Sequence, residues 1–234
     1  MTAALHARTL AGVPTLIGTP PDPAAPAPVV LWFHGYSADA LAHAAELERC
    51  AAAGFLAVGI DAVGHGARRD RQLAARIAAS PAGVLPVMLD LIEETVAELE
   101  AVVDALGERY PIDRQRLSAV GISMGAFLVY RAIAAGLPLR ASVALLGSPE
   151  WPRPASPHHR IDAFQHVSLL SITAEFDVSV PPAPTRRFHE ALRAAFPSAD
   201  RHQHHALRGA GHLTNAAQWQ EAMDTTLAWL QRHG

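Results

Sequence analysis

Short apolar runs that alternate with segments of helical periodicity most constrain how this chain folds. Residues 29–33 (VVLWF) and 55–60 (FLAVGI) contain no charged side chain. Such runs are typical of strands that are buried on both faces of a parallel sheet. The pattern predicts further strands at 116–122, 141–146, 168–173 and 202–207.

The segments between these strands have apolar residues at helical spacing, and 38–53 and 124–135 end at Gly54 and Gly136. Further helices are predicted at 84–106, 183–195 and 215–231. Alternating strands and helices indicate an α/β fold, because each parallel connection crosses one face of the sheet. We therefore predict a mostly parallel, twisted sheet of about eight strands with helices on both faces, opened by a β-hairpin or meander at 5–18.

The length of 234 residues suits one domain that covers 1–234, and half of the residues are hydrophobic, which is sufficient for a large core. The formal net charge of −3 and the lack of a basic stripe argue against binding to nucleic acid or to a membrane. The single cysteine, Cys50, excludes an internal disulfide framework, and the N-terminal residues show no secretory signal. We expect a cytoplasmic protein.

The most informative motif is Gly121-Ile122-Ser123-Met124-Gly125, which lies between a predicted strand and a predicted helix. A serine hydroxyl is a weak nucleophile, so it must stand on a sharp turn where a base can reach it. Only small residues fit two positions to either side of such a turn, because the strand and the helix approach closely there. The motif predicts Ser123 as a catalytic nucleophile at a helix N-terminus.

A nucleophilic serine needs a histidine base and an acid that orients the base, and in this kind of site the acid and the histidine follow the serine in that order. His212 lies in a glycine-containing loop after the last predicted strand. Asp177 follows the strand at 168–173 and precedes a proline-marked turn. We predict Asp177 as the acid and His212 as the base, with Glu175 as the alternative acid.

Histidine is also a common metal ligand, and His202, His204 and His205 lie close together in the sequence. Adjacent positions of a strand point to opposite faces, so these side chains do not converge on one point. We therefore predict no metal site. The chemistry of a serine nucleophile also requires no cofactor.

Four motifs together resemble those of the α/β-hydrolase superfamily. They are His34-Gly35-Tyr36 after the first buried strand, the Gly-x-Ser-x-Gly at Ser123, Asp177 followed by Val180-Pro181, and Gly211-His212. From Val29 onward the chain is most similar to the compact serine esterases grouped with dienelactone hydrolases and with the catalytic domains of prolyl oligopeptidases. The resemblance implies an α/β-hydrolase fold, and the roughly twenty residues between the strands at 141–146 and 168–173 leave no room for a large cap domain.

The resemblance also implies an oxyanion hole made by two backbone N–H groups, those of Tyr36 and Met124. It further implies a structural role for His34, whose side chain would hold its loop by a hydrogen bond. Dienelactone hydrolases have a cysteine nucleophile, whereas this chain has Ser123. The difference favours ordinary ester cleavage.

Two loops are candidates to cover the site, one near 66–86 and one near 149–166. The second is stiffened by prolines and carries Trp151, for which we predict a place in the wall of the substrate pocket. The alternative for Trp151 is an exposed ring that packs on its own loop. His65 is the other candidate pocket residue, and the alternative there is a purely structural loop.

Together these residues predict a carboxylesterase-like serine hydrolase that forms an acyl-enzyme with a small or medium ester. A thioesterase, an acyltransferase or a small peptidase uses the same triad, so these alternatives stay open. A catalytically silent α/β-hydrolase fold used as a binding module is the non-enzymatic alternative. The expected partner is a small-molecule ester, and a monomer and a homodimer are both compatible with the sequence.

Overall fold

The residues described by the computed structural model, 4–22, 26–197 and 200–234, contain eight strands that form one sheet. Strands β1 to β8 are Leu5–Leu10, Val13–Gly18, Ala27–Phe33, Leu56–Ile60, Ile112–Ile122, Ala141–Leu145, Ser168–Ala174 and His202–Leu207. Their order in the sheet is β1-β2-β4-β3-β5-β6-β7-β8. The β1-β2 and β2-β4 pairs are antiparallel and the other pairs are parallel. The predicted fold class is confirmed.

The central strands are buried on both faces, as their composition predicts. In β3, Val29, Leu31 and Phe33 belong to one hydrophobic cluster, whereas Val30 and Trp32 belong to another. All five side chains are at most 1% exposed. Successive side chains of a strand point to opposite faces, so one apolar run fills the core on both sides of the sheet.

The described part of the chain contains six α-helices. They are α1 (Ala44–Ala52), α2 (Leu73–Ala78), α3 (Val84–Arg109), α4 (Met124–Ala134), α5 (Ala183–Ala195) and α6 (Ala216–His233). α1 and α6 pack on one face through residues such as Leu47 and Met223, and α3, α4 and α5 pack on the other through residues such as Leu99, Leu128 and Leu192. None of these described helices combines the length and hydropathy that a membrane span requires.

The helix expected at 38–53 begins instead with a 3₁₀ turn, Ala40–His43, and only then continues as α1. The carboxylate of Asp39 caps this turn by accepting the N–H of Ala42, and the carboxylate of Asp61 accepts the N–H of Ala40 (2.9 Å). Both carboxylates satisfy N–H groups that have no partner inside a helix. Side chains, rather than helix propensity, therefore fix this first turn.

The two loops expected near the site have short helical segments of their own. The loop at 66–86 contains α2, whose Leu73 packs with Val87 and Leu91 of α3 in a small separate cluster. The loop at 149–166 contains two 3₁₀ turns, Pro157–His159 and Ile161–Phe164. The sequence does not indicate these segments, because each is too short to show a helical period.

Cys50 lies on the inner side of α1 and is 3% exposed. Burial raises the pKa of its thiol to about 12. The side chain is therefore a neutral thiol that packs in the core between α1 and the sheet.

A hydrogen-bonded group of polar side chains is buried between β7 and the helices α4 and α5. The hydroxyl oxygen of Ser171 is 2.7 Å from Oη of Tyr130 and 2.7 Å from Nε2 of His189. All three residues are fully buried. Burial lowers the pKa of His189 to about 3, and His204 nearby contributes to the decrease. The imidazole is therefore neutral in the folded protein at neutral pH.

Acid should destabilise the fold in part through His189. Its pKa in the folded protein is about 3 and its ordinary value is 6.5. Between these values the unfolded chain binds the extra proton, so the free energy of unfolding falls as the pH is lowered, by at most about 1.4 kcal/mol per pH unit. We expect His189→Gln to reduce this slope between about pH 4 and pH 6.5, as measured by urea denaturation.

Ser171→Ala is the control, because it removes the hydrogen bonds but leaves the titrating group in place. We expect it to lower the free energy of unfolding at every pH without changing the slope. A His189→Gln protein with the wild-type slope would contradict the role assigned to His189.

Candidate active site

Ser123 lies at the sharp turn between β5 and α4, as the Gly-x-Ser-x-Gly motif predicts. Its backbone has φ 53° and ψ −116°, a conformation that costs a residue with a side chain about 1–3 kcal/mol. The turn is held because the N–H of Ser123 donates to the carbonyl of Leu145 (2.8 Å), while its own carbonyl accepts the N–H of Ala126 (2.8 Å). The hydroxyl group is thus fixed at the carboxyl edge of the sheet.

Gly121 and Gly125 allow the close approach of strand and helix that this turn requires. A Cβ atom at Gly121 would overlap the carbonyl oxygen of Gly125, and a Cβ atom at Gly125 would overlap the carbonyl oxygen of Phe33 in β3. These obstacles are backbone atoms, which cannot rotate away as a side chain can. The expectation that only small residues fit here therefore has a direct steric cause.

His212 lies in the loop between β8 and α6, and its ring bridges the other two predicted triad residues. Its Nε2 is 3.0 Å from Oγ of Ser123, and its Nδ1 is 2.7 Å from Oδ2 of Asp177. A carboxylate can only accept a hydrogen bond, so Nδ1 carries the proton and Nε2 accepts the one from the serine hydroxyl. The structure thus brings together the three residues that the sequence analysis selects.

Asp177 is fixed by backbone groups as well as by His212. Its Oδ1 accepts the N–H groups of the second and third residues after it (2.9 and 2.8 Å), and its carboxylate is fully buried. Glu175, the alternative acid, is exposed and accepts the N–H of Gly209 (2.9 Å). The two acids have separate partners, and Asp177 is the one that orients the imidazole.

The loop that carries His212 is tied at both ends. Oδ1 of Asn215 accepts the N–H of Gln218 (2.9 Å), and Oε1 of Gln218 accepts the N–H of Asn215 (3.0 Å), which forms a capping box at the start of α6. The side-chain amide of Gln218 also donates to the carbonyl of Arg208 (3.2 Å), before the histidine. These bonds limit how far the imidazole can move from Ser123.

The segment that follows β3 lies beside the nucleophile. A Cβ atom at Gly35 would be 3.7 Å from Cβ of Ser123, an ordinary van der Waals distance. His34 holds this segment, because its Nδ1 donates to the carbonyl of Gly35 (2.8 Å) and its Nε2 accepts the N–H of Ala62 (3.1 Å). Burial lowers the pKa of His34, which favours the neutral ring that can both donate and accept.

The two residues predicted to form the oxyanion hole are neighbours of Ser123. Tyr36 follows Gly35 in the chain, and Met124 is the first residue of α4. The first N–H groups of a helix have no partner inside it, and a helix N-terminus favours negative charge. These positions suit two donors to an oxyanion, and that role stays a prediction.

An open cleft of about 740 Å³ adjoins Ser123 and His212. Most of the side chains around it are apolar, among them Tyr36, Ala42, Ile122, Leu146, Leu213 and Trp219. Leu146 follows β6 and has φ 57°, an uncommon conformation for a bulky residue. The sequence analysis misses Leu146, Leu213 and Trp219, because they belong to separate segments that meet only in the folded protein.

His65 lines a second cavity, of about 640 Å³, which shares Tyr36 with the first. Its ring is 3% exposed and packs edge-on against Tyr36, with the ring centroids 5.3 Å apart. Its Nδ1 is 3.0 Å from the carbonyl oxygen of Val63, and in the same loop Asp61 accepts the N–H of Ala67 (2.8 Å). Among the described residues His65 lines this second cavity and not the triad cleft, and its loop has the hydrogen bonds of the structural alternative.

Trp151 lies deeper than the sequence analysis expects. Its side chain is 4% exposed and stacks on Phe127 of α4, with the ring centroids 5.6 Å apart. Ser156 accepts the N–H of Trp151 (2.9 Å) and so folds this loop back on itself. The indole packs in the core, and Trp151 lines an open cavity with Glu150 and His158 but not the cleft beside Ser123 and His212, so its place in the wall of the substrate pocket stays a prediction.

The neighbouring histidines of β8 have separate partners. His202 lies 2.9 Å from a backbone carbonyl oxygen, His204 lies 2.8 Å from a threonine hydroxyl, and His205 lies 2.7 Å from the carboxylate of Glu221. Within 4–22, 26–197 and 200–234, no group of three or more His, Cys, Asp or Glu residues is arranged so that it could hold a metal ion.

Residues 13–233 match the model of the dienelactone hydrolase family. A crystal structure from Thermus thermophilus, TT1662, is 27% identical, with a TM-score of 0.77 over 98% of this chain and 99% of that one. A structure from Klebsiella pneumoniae, provisionally named a dienelactone hydrolase, is 20% identical, with a TM-score of 0.69 over 98% of this chain and 100% of that one. Among curated proteins, none matches this sequence significantly.

A similar fold also forms part of a larger peptidase. The acylaminoacyl peptidase of Pyrococcus horikoshii is 14% identical, with a TM-score of 0.77 over 100% of this chain but only 42% of its own. At this identity the likeness shows the fold alone.

A side chain at Gly125 should prevent the turn at Ser123 from forming. We expect Gly125→Ala to lower the free energy of unfolding by about 3 kcal/mol, because the overlap with a backbone carbonyl cannot be relieved locally. Chemical denaturation measures the change. In the control, Gly211→Ala, the nearest atom to the new Cβ is 4.0 Å away, so the change should stay below about 1 kcal/mol. Equal destabilisation by the two substitutions would contradict the steric argument.

Proposed function

The chain belongs to the dienelactone hydrolase family, and from this premise we propose that it cleaves carboxylic esters through an acyl-enzyme formed on Ser123. The observation that supports the proposal is the pair of hydrogen bonds from Ser123 Oγ through His212 to Asp177, 3.0 and 2.7 Å long. A buried carboxylate, an imidazole and a hydroxyl in this order form a unit that removes the hydroxyl proton.

In the first half-reaction, Oγ of Ser123 attacks the ester carbonyl carbon while Nε2 of His212 accepts the hydroxyl proton. The carbonyl oxygen becomes an oxyanion, and we assign its binding to the N–H groups of Tyr36 and Met124. Each donor of this kind contributes a factor of about 10²–10³ to the rate. The C–O bond to the alcohol then breaks, the alcohol takes the proton from His212, and the acyl group stays on Ser123.

In the second half-reaction, a water molecule gives a proton to Nε2 of His212 and attacks the acyl carbon. The tetrahedral intermediate collapses, the carboxylic acid leaves, and the proton returns from His212 to Oγ of Ser123. Asp177 stabilises the imidazolium in both halves and keeps Nε2 directed at Ser123. Besides these groups the proposed reaction needs only water.

Thioesters and peptides remain the alternatives to esters within this mechanism. Their acyl groups would occupy the same serine, and only the leaving atom differs, sulfur or nitrogen in place of oxygen. A panel of matched acetyl esters, thioesters and anilides separates them by kcat/KM. We expect the ester to react faster than the anilide, since an amine leaving group is harder to expel than an alcohol.

Ser123→Ala should lower the turnover of p-nitrophenyl acetate by a factor of at least about 10³. The substitution removes one oxygen atom and leaves the turn intact, so far-UV circular dichroism should be unchanged. A fluorophosphonate probe should label the wild-type protein and not the variant. Ser118→Ala, a buried serine of the same strand, is the control and should be labelled like wild type. Retained turnover in Ser123→Ala would refute the mechanism.

Asp177→Asn should lower kcat for p-nitrophenyl acetate by a factor of about 10³–10⁴. The new amide group can donate to Nδ1 of His212, which moves the ring proton to Nε2 and leaves no acceptor for the serine proton. Glu175→Gln changes a nearby exposed acid in the same way and keeps an acceptor for Gly209, so kcat should stay within about twofold of wild type. The reverse order of effects would identify Glu175 as the acid.

A further inference from the structure

The residues that directly follow His212 form one wall of the 740 Å³ cleft. They comprise the loop into α6 and its first turn, and residues of the segment after β3, among them Tyr36 and Ala42, also line the cleft. The cleft therefore extends from Ser123 on the side of the site where the imidazole lies. Its size suits a group as large as a drug-sized ligand.

The proposed reaction determines which part of an ester must lie near the imidazole. Nε2 of His212 gives its proton to the oxygen of the departing alcohol, so this oxygen must come within hydrogen-bonding distance of the ring. The acyl carbon is bound to Oγ of Ser123 at that stage, and the acyl chain leaves it in another direction. A cavity that begins beside His212 is therefore placed for the alcohol.

Trp219 gives this cleft a rigid apolar surface. Its indole N–H donates to Oε1 of Glu46 (2.9 Å) in α1, which fixes the orientation of the ring. Burial by itself would raise the pKa of Glu46, but the interactions with His43 and Trp219 outweigh it and lower the pKa. Glu46 is thus ionised at neutral pH and forms a charge-assisted bond to the indole.

Leu213, the residue next to His212, extends the apolar surface into solvent. Its side chain is 93% exposed although it borders the cleft. An apolar group that binds between Leu213 and Trp219 would remove both surfaces from water, which favours binding. The second cavity is different in character, because Arg69, Asp70 and Arg71 line it.

We propose that the cleft formed by Leu213, Trp219 and the segment after β3 binds the alcohol part of the substrate. The substrate is accordingly an ester of a long-chain or bulky apolar alcohol, and Leu213 and Trp219 determine this specificity. The inference rests on the proposed function, because the side on which the alcohol lies follows from proton donation by His212.

A series of n-alkyl acetates from methyl to hexyl tests this assignment. These esters share one acetyl-enzyme and have leaving groups of nearly equal basicity, so a rise in kcat/KM with alkyl length reports binding of the alcohol. For wild type we expect a rise of about twofold to fourfold per methylene, measured as acid release. A series of p-nitrophenyl esters with increasing acyl length serves as the converse measurement.

Leu213→Ser and Trp219→Ala should flatten the alcohol series while the dependence on acyl length keeps its wild-type form. Leu213 is almost fully exposed, so its substitution cannot unfold the protein even if Trp219→Ala proves unstable. Val178→Ser is the matched control, since Val178 is 90% exposed and adjoins Asp177 but is not among the described residues of the cleft. It should retain the wild-type slope.

Two results would overturn the assignment: a flat alcohol series in wild type, and variants that alter the acyl series instead. The second result would identify the cleft as the acyl site. Labelling by a fluorophosphonate, dependent on Ser123, is measured on the same samples. If labelling persists and the alcohol series is flat, only the specificity proposal fails; if labelling is absent, the serine mechanism fails and the specificity proposal with it.

Discussion

Close backbone contact where α4 meets β3 and β5 is the constraint on which the candidate site depends. Gly121 and Gly125 leave no space for a side chain between these elements. Because the packing there is so tight, Ser123 is held at φ 53° in spite of its conformational cost. The same contact brings the segment with Gly35 and Tyr36 beside the serine. One steric feature thus sets the position of the nucleophile and of one proposed oxyanion donor together.

Much of the fold is predictable because a strand buried on both faces leaves a continuous apolar run, as residues 29–33 do. The 3₁₀ turn at 40–43 is not predictable in this way. It depends on Asp61, whose carboxylate reaches the N–H of Ala40 only when β4 has joined the sheet. The buried group around His189 is hidden for a similar reason, since its members come from three elements that are distant in sequence.

The candidate triad is predictable from chain order. Parallel strands end at the same edge of the sheet, so the loops that follow them, which bear Ser123, Asp177 and His212, meet there. How deeply a side chain is buried in the fold is not predictable in this way. A proline-rich loop has no periodicity to show which way it turns, so the sequence does not reveal that Trp151 stacks in the core. Trp219 is an ordinary helix residue in the sequence, and its place in the cleft follows only from the packing of α6 against α1.

Cys50 has a practical consequence for how this protein can be studied. It carries the only sulfhydryl group of the chain, and in the folded state that group is protonated and enclosed. Iodoacetamide therefore cannot alkylate the native protein, whereas it can alkylate a chain in which α1 has come away from the sheet. The rate of alkylation thus reports how often this part of the molecule opens, and no engineered label is needed.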